Sequence, residues 1–147
     1  MSVQLTDILL FANQNPSCWL ATSENGQPHV RGMLMWYADE TGFYFHTARA
    51  KRLFHQIESN PKVEAGFIRN ANDPVNFETL HVTGIAEEVR DEELAKRLFE
   101  ERPWLLDNIR RSEIDTETVI FRIVQGSAYI WNMSWNIKEK EAPRVRF

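Results

Sequence analysis

Between Phe43 and Ser59 the chain reads FYFHTARAKRLFHQIES, and Thr47, Arg49, Lys51 and Arg52 fall inside six consecutive positions. A hydroxyl and three cations at that spacing suit an anion site, because guanidinium and ammonium groups form charge-assisted hydrogen bonds and the hydroxyl adds a neutral donor. The apolar run before Thr47 reads as a strand. A helix is expected from about Arg49 to Ser59, with Leu53, Phe54 and Ile57 on one face. The free N–H groups and positive dipole end of such a helix favour an anion at the same place. A terminal phosphate fits this chemistry best. The competing reading is a solvated helix face whose bases pair with acids such as Glu58.

Other reactive side chains are few. Cys18 is the one cysteine, so neither an internal disulfide nor a cysteine-based zinc cage can form, and its surroundings, CWLAT, read as a buried strand holding an inert thiol. The four histidines, His29, His46, His55 and His81, show none of the spacings of helical metal motifs, so no metal site is expected. His29 and His46 are expected on neighbouring strands, where a pair could approach a transition metal or haem iron. A formal net charge of −4 over 147 residues argues against broad binding of nucleic acid, so any anion site must be focused. The first residues, MSVQLTDILLFANQNP, lack the basic start and long apolar core of a secretion signal, and no apolar run approaches a membrane span. A cytoplasmic protein without membrane or nucleic-acid partners is expected.

The elements that must hold these residues follow from periodicity and punctuation. Thr6 is placed to cap a first helix that ends before NQNP. The stretch CWLATSENGQPHVRGMLMWYADETGFYFHT holds three strand-like runs separated by ENGQP and ADETG. Asn60–Pro61 ends the helix after Thr47, since the residue before proline is driven out of the helical region. KVEAGFIR and FETLHVTGIAEEV read as strands, and DEELAKRLFEERPWLLDNI as one or two helices opening on Asp91. ETVIFRIVQGSAYIWNM reads as two final strands pivoting at Gln125–Gly126. One domain of six to seven antiparallel strands with about three helices is expected, a mainly β barrel with helices at its ends. The hairpin placement of Arg31 would bring it near Thr47, facing the same anion.

In this arrangement TSENGQPHVRGMLMW, GFYFHTARAKRLFHQIESNPKVE and LHVTGIAEEV resemble the pyridoxamine 5′-phosphate oxidase-like superfamily of flavin-binding split barrels, and most of all its short, nitroimidazole-reductase-like members. The resemblance runs over nearly the whole chain. It implies a split β-barrel homodimer that holds flavin mononucleotide (FMN) at the subunit interface. Residue by residue, it places Arg31 on the flavin phosphate or ribityl chain. The backbone of Gly32, Met33 and Leu34 would run beside the ring. His46 and Thr47 would close over the polar tail, and Lys51 with Arg52 would hold the phosphate. Trp131 and Trp135 lie in a segment that, in relatives, comes near the partner's flavin. Trp36 and Leu53 stand where the vitamin B6 oxidases carry basic residues, and their longer substrate-gripping C-terminal region has no counterpart after EAPRVRF. Oxidation of pyridoxamine phosphate is therefore not expected.

Three functions compete. The leading one is an FMN-dependent oxidoreductase that takes hydride or electrons from a reduced nicotinamide or other donor and passes them to a small organic acceptor. Since the cofactor carries such chemistry, no protein residue is named as catalytic. The alternatives are a non-catalytic carrier of flavin, deazaflavin or haem, and an interaction protein that has lost its ligand. The cations from Thr47 to Arg52 argue against the last.

Overall fold

The computed structural model describes residues 2–147. In chain order the elements are α1 (Leu5–Gln14), β1 (Ser17–Glu24), β2 (Gln27–Leu34), β3 (Tyr37–Asp39), β4 (Gly42–Ala48), α2 (Arg52–Ser59), β5 (Lys62–Arg69), β6 (Glu78–Val89), α3 (Glu92–Glu101), α4 (Trp104–Ser112), β7 (Thr118–Trp131) and β8 (Val145–Arg146). All strand pairs are antiparallel, in the order β2-β1-β5-β6-β7-β4-β3, with β8 added to β7. The strands at the two ends of this path, β2 and β3, are joined by Met35 and Trp36 alone. Two linking residues span only about 10 Å, so the sheet must curl until its ends nearly meet. It stays open there, since no ladder joins β2 to β3 or β4.

Local chemistry explains most elements. Asn25 and Gly26 both take positive φ, 53° and 79°, and form the two-residue turn that the right-handed twist of β1 and β2 requires. Asp91 caps α3, accepting from the N–H groups of Glu93 and Leu94 at 3.0 and 3.1 Å. The interior holds Phe11, Leu20, Phe43, Phe45, Phe54, Phe67, Leu80 and Phe121, with Phe45 and Phe121 stacked at 5.2 Å. A second cluster, with Tyr44, Leu98, Leu105 and Ile120, lies between the outer face of β4 and helices α3 and α4. Both faces of β4 are therefore covered.

Several expectations need correction. Among the described residues there are eight strands, where six to seven were expected, and four α-helices, where about three were, since Pro103 divides α3 from α4. The run HVRGMLMWY is broken, since Met35 N–H turns to the carbonyl of Pro16 and Trp36 N–H to that of Tyr44, a change of sheet partner. Arg31 and Thr47 consequently do not share a hairpin: β2 pairs with β1. The final two strands are one 14-residue strand. Its Gln125, at φ 53°, marks a bulge where the pairing with β6 shifts between Thr83 and Ile85. Gly126 is required beside it, since a Cβ there would stand 1.7 Å from the carbonyl oxygen of Thr83. The first helix begins at Leu5, and Asp7, not Thr6, accepts from the Gln4 N–H at 2.8 Å. Helix α2 begins at Arg52 rather than Arg49.

Candidate functional site

β4 delivers two side chains to opposite faces. Alternation sends Phe43, Phe45 and Thr47 to the barrel interior, and Tyr44 and His46 toward α3 and α4. Thr47 is thus buried by register. It is only 6% exposed, and its hydroxyl has no hydrogen-bond partner among the described residues. Beside it on α2, Gln56 is fully buried within the face formed by Leu53, Phe54 and Ile57. Its Oε1 accepts from Thr22 Oγ1 at 2.7 Å and from Arg31 Nη2, while its Nε2 has no partner. Arg31 also donates through Nη1 to the Leu20 carbonyl at 3.2 Å and to Thr22 Oγ1 at 2.9 Å.

These groups surround a cavity of about 500 Å³ lined by Arg31, Thr47, Lys51, Arg52 and Gln56, among others. Burial, and then the charge of Arg52, pull the Arg31 pKa below the ordinary guanidinium value, as expected of cations gathered without a counter-charge. Among the described residues no carboxylate pairs with Lys51 or Arg52. Arg49 behaves differently. It pairs with Glu88 at 2.6 Å and Glu117 at 2.8 Å and lies over the ring of Phe54, so it braces the β4–α2 corner. The solvated-face reading thus applies to Arg49 and not to its two neighbours. No side chain caps the N-terminus of α2 at Lys51, which leaves its first N–H groups for another acceptor.

A second cavity, about 520 Å³, adjoins the first, and the two share Gly32, Met33, Thr47 and Lys51. It is lined also by Leu34, His46, Trp104, Leu105, Ile109 and Ile114 and is the more apolar of the two. The eight residues expected at the site, Arg31, Gly32, Met33, Leu34, His46, Thr47, Lys51 and Arg52, all line one cavity or both. Gly32 has open space where its Cβ would stand, with nothing within 4 Å, so a flat group can approach the strand backbone there.

His46 is held by Arg102, whose Nη1 donates to its Nε2 at 2.7 Å. Burial, followed by the charges of Arg102 and Lys51, pushes its pKa down to about 4. His29 and His46 do not lie on paired strands, and no three potential metal ligands come together among the described residues. Cys18 is buried, and burial pushes its thiol up to about 12.

The model of the pyridoxamine 5′-phosphate oxidase family matches residues 6–131, most of the chain. The chain belongs to the pyridoxamine 5′-phosphate oxidase family. A curated pyridoxine/pyridoxamine 5′-phosphate oxidase from Escherichia fergusonii is 40% identical over 80 residues, which cover 54% of this chain and 34% of that one. The match thus spans about a third of the curated relative's length. A NimC/NimA family protein from Clostridium acetobutylicum superposes with a TM-score of 0.70 at 21% identity, covering 95% of this chain and 92% of that one. An FAD-binding protein from Mesorhizobium loti superposes with a TM-score of 0.60 at 20% identity, over 87% and 95% of the two chains. These likenesses establish the split-barrel fold.

Two residues of this family member's cavities, Gln56 and Trp104, and one behind them, Arg102, escaped the sequence reading. Gln56 carried a signal, being a polar residue three after Leu53 on an otherwise apolar helix face. Arg102 and Trp104 carried none, since they reach the site through packing of the α3–α4 corner against β4. Of the five tryptophans it is Trp104 that lines the second cavity, while Trp131 packs on Phe77 and Trp135 under Lys138.

Proposed function

We propose that this chain binds FMN and is an oxidoreductase, moving hydride or electrons between a reduced nicotinamide or other donor and a small organic acceptor. One observation carries the reading. Among the described residues Thr47 Oγ1 and Gln56 Nε2 are buried donors without an acceptor, and both residues line a cavity rich in cations beside a more apolar one. Leaving such donors unmet costs about 1–3 kcal/mol each, so their pairing is expected to come from a ligand. Arg31, Thr47, Lys51 and Arg52 would hold the phosphate, Gly32 to Leu34 would lie along the ring, and His46 would meet its polar edge. When bound, flavin supplies the hydride and electron chemistry. The chain's own residues bind, orient and exclude water. Family membership and the FAD-binding protein of the same fold support a flavin.

Pyridoxamine phosphate is not the proposed substrate. Trp36 lies under Arg97 and donates to Glu101 at 3.1 Å, and Leu53 is buried in the core, so neither position offers a cation. We also propose a homodimer. Trp19, Val30, Leu34 and Ile68 are each more than 40% exposed and lie on one face of β2, β1 and β5, a patch suited to a second copy. A cytoplasmic site of action is in keeping with a lone, buried cysteine. No helix among the described residues is long and apolar enough to cross a membrane.

The test compares FMN with riboflavin, which lacks the phosphate. Lys51→Ala should weaken FMN by about ten- to a hundredfold, the worth of one charge-assisted contact, and leave riboflavin nearly unchanged. Equal weakening of both would overturn the phosphate assignment. Repeated turnover with reduced nicotinamide and an artificial acceptor separates an enzyme from a carrier, which is reduced once and stops.

A further inference from the structure

Arg102, at the C-terminal end of α3, spends its guanidinium on three acceptors. Nη1 donates to His46 Nε2 at 2.7 Å and to the Leu34 carbonyl at 3.1 Å, and Nη2 donates to the Met35 carbonyl at 2.7 Å. Its other side faces the ring of Trp104 at 5.7 Å, which in turn stands edge-on to His46 at 6.1 Å. The guanidinium is therefore fixed by the link between β2 and β3 on one side and by α4 on the other.

A guanidinium has donors and no acceptor. His46 Nε2 must then present its lone pair, the ring must be neutral, and its proton must stand on Nδ1. Among the described residues none meets Nδ1 with a hydrogen bond. The ring lines the 520 Å³ cavity. The charges facing His46 are the cations Arg102 and Lys51. The acid beside Arg102, Glu101, is occupied by Arg97 Nε at 2.7 Å and Trp36 Nε1 at 3.1 Å.

We propose that Arg102 is a positioning residue that locks His46 as a neutral Nδ1–H donor, aimed at an acceptor atom, a carbonyl or ring nitrogen, of the planar molecule in this cavity. His46 then gives a hydrogen bond at every pH near neutrality and takes no part in proton transfer. The lock needs no ligand. Only the identity of the acceptor rests on the flavin reading.

Nitrogen-15 spectra of the histidine rings, recorded from pH 4.5 to 8 on the full chain without ligand, test the lock. His46 is expected as the Nδ1–H tautomer, neutral to below pH 5. In Arg102→Met the two tautomers should mix and the ring should titrate at a higher pH than in the parent. Arg102→Lys, which keeps the charge without the fork, should fall between and serves if the first variant does not fold. An Nε2–H tautomer in the unaltered protein, titration near pH 6.5, or an Arg102→Met spectrum like that of the parent would overturn the proposal.

FMN binding tests the donor. His46→Phe should cost about five- to tenfold in affinity, one neutral hydrogen bond, and adding Arg102→Met should cost nothing further. A double variant weaker by the full Arg102→Met factor would show that Arg102 acts on the ligand otherwise than through His46, and would overturn the positioning role. If FMN does not bind at all, the flavin reading fails, while the ligand-free spectra still decide the lock.

Discussion

Replacing Thr47 by valine should move stability and binding in opposite directions. The threonine hydroxyl is buried, 6% exposed by residue, and has no partner among the described residues. A buried donor left unmet costs about 1–3 kcal/mol, and a methyl of the same shape carries no such penalty. Valine also suits a strand, and Thr47 pairs with Val119 in the β4–β7 ladder. Thr47→Val should therefore stabilise the ligand-free protein by about 1–2 kcal/mol, or about 3–6 °C in melting temperature for a chain of this length. The same change removes a donor to a charged phosphate, worth about 1.5–3 kcal/mol, so FMN should bind about ten- to a hundredfold more weakly. The melting-temperature rise produced by saturating FMN should shrink accordingly. Thermal melts with and without FMN, together with a binding titration, read both effects. A variant less stable without ligand and unchanged in FMN affinity would refute the reasoning, since the hydroxyl would then serve the fold and not a ligand.

Gly32→Val should fold normally, because a Cβ there meets nothing within 4 Å, yet should abolish or severely weaken flavin binding by filling the cavity wall. Circular dichroism and a flavin titration would check it, and full binding by the variant would remove Gly32 from the site. His46 also predicts a pH dependence. Its pKa is depressed from 6.5 to about 4, so the fold favours the neutral ring. The stability tied to it is fully present above about pH 6.5 and is lost as pH falls toward 4, at most about 3 kcal/mol. Denaturant unfolding at pH 7.5 and 4.5 should show a smaller loss in His46→Asn than in the parent, and equal losses would contradict the burial argument. Arg49→Ala should lower stability slightly through loss of its pairs with Glu88 and Glu117, with little change in FMN affinity, whereas Arg52→Ala should do the reverse.

What the sequence could tell was what is encoded locally. Asn25–Gly26 announced a tight turn, Asp91 a helix start, and Leu53, Phe54 and Ile57 a buried helix face. The cations beside Thr47 suggested an anion site, and they do line one cavity with it, although the helix behind them starts three residues later than expected. What is decided by distant pairing was not legible. Nothing near Met35 reveals that its N–H turns to Pro16 while the next residue's turns to Tyr44, so one long strand was read where the chain crosses the split. The meeting of Arg31 with Thr47 was expected for the wrong reason. It arises because the two ends of the curled sheet face one cavity, not from a hairpin. The bulge at Gln125 was read as a break between strands, because a positive-φ residue before glycine looks like a turn unless the strand beside it is known. Arg102 lies 56 residues from His46, and only packing of the α3–α4 corner brings them together.

The central claim is that the cationic cavity and its more apolar neighbour together hold FMN. Equilibrium dialysis of the unaltered protein against FMN, read by flavin absorbance and repeated with riboflavin, tests it most directly. The account predicts one FMN per chain and a much weaker complex with riboflavin, the gap reflecting the phosphate contacts of Arg31, Thr47, Lys51 and Arg52. No binding of FMN, or equal binding of both compounds, would contradict it.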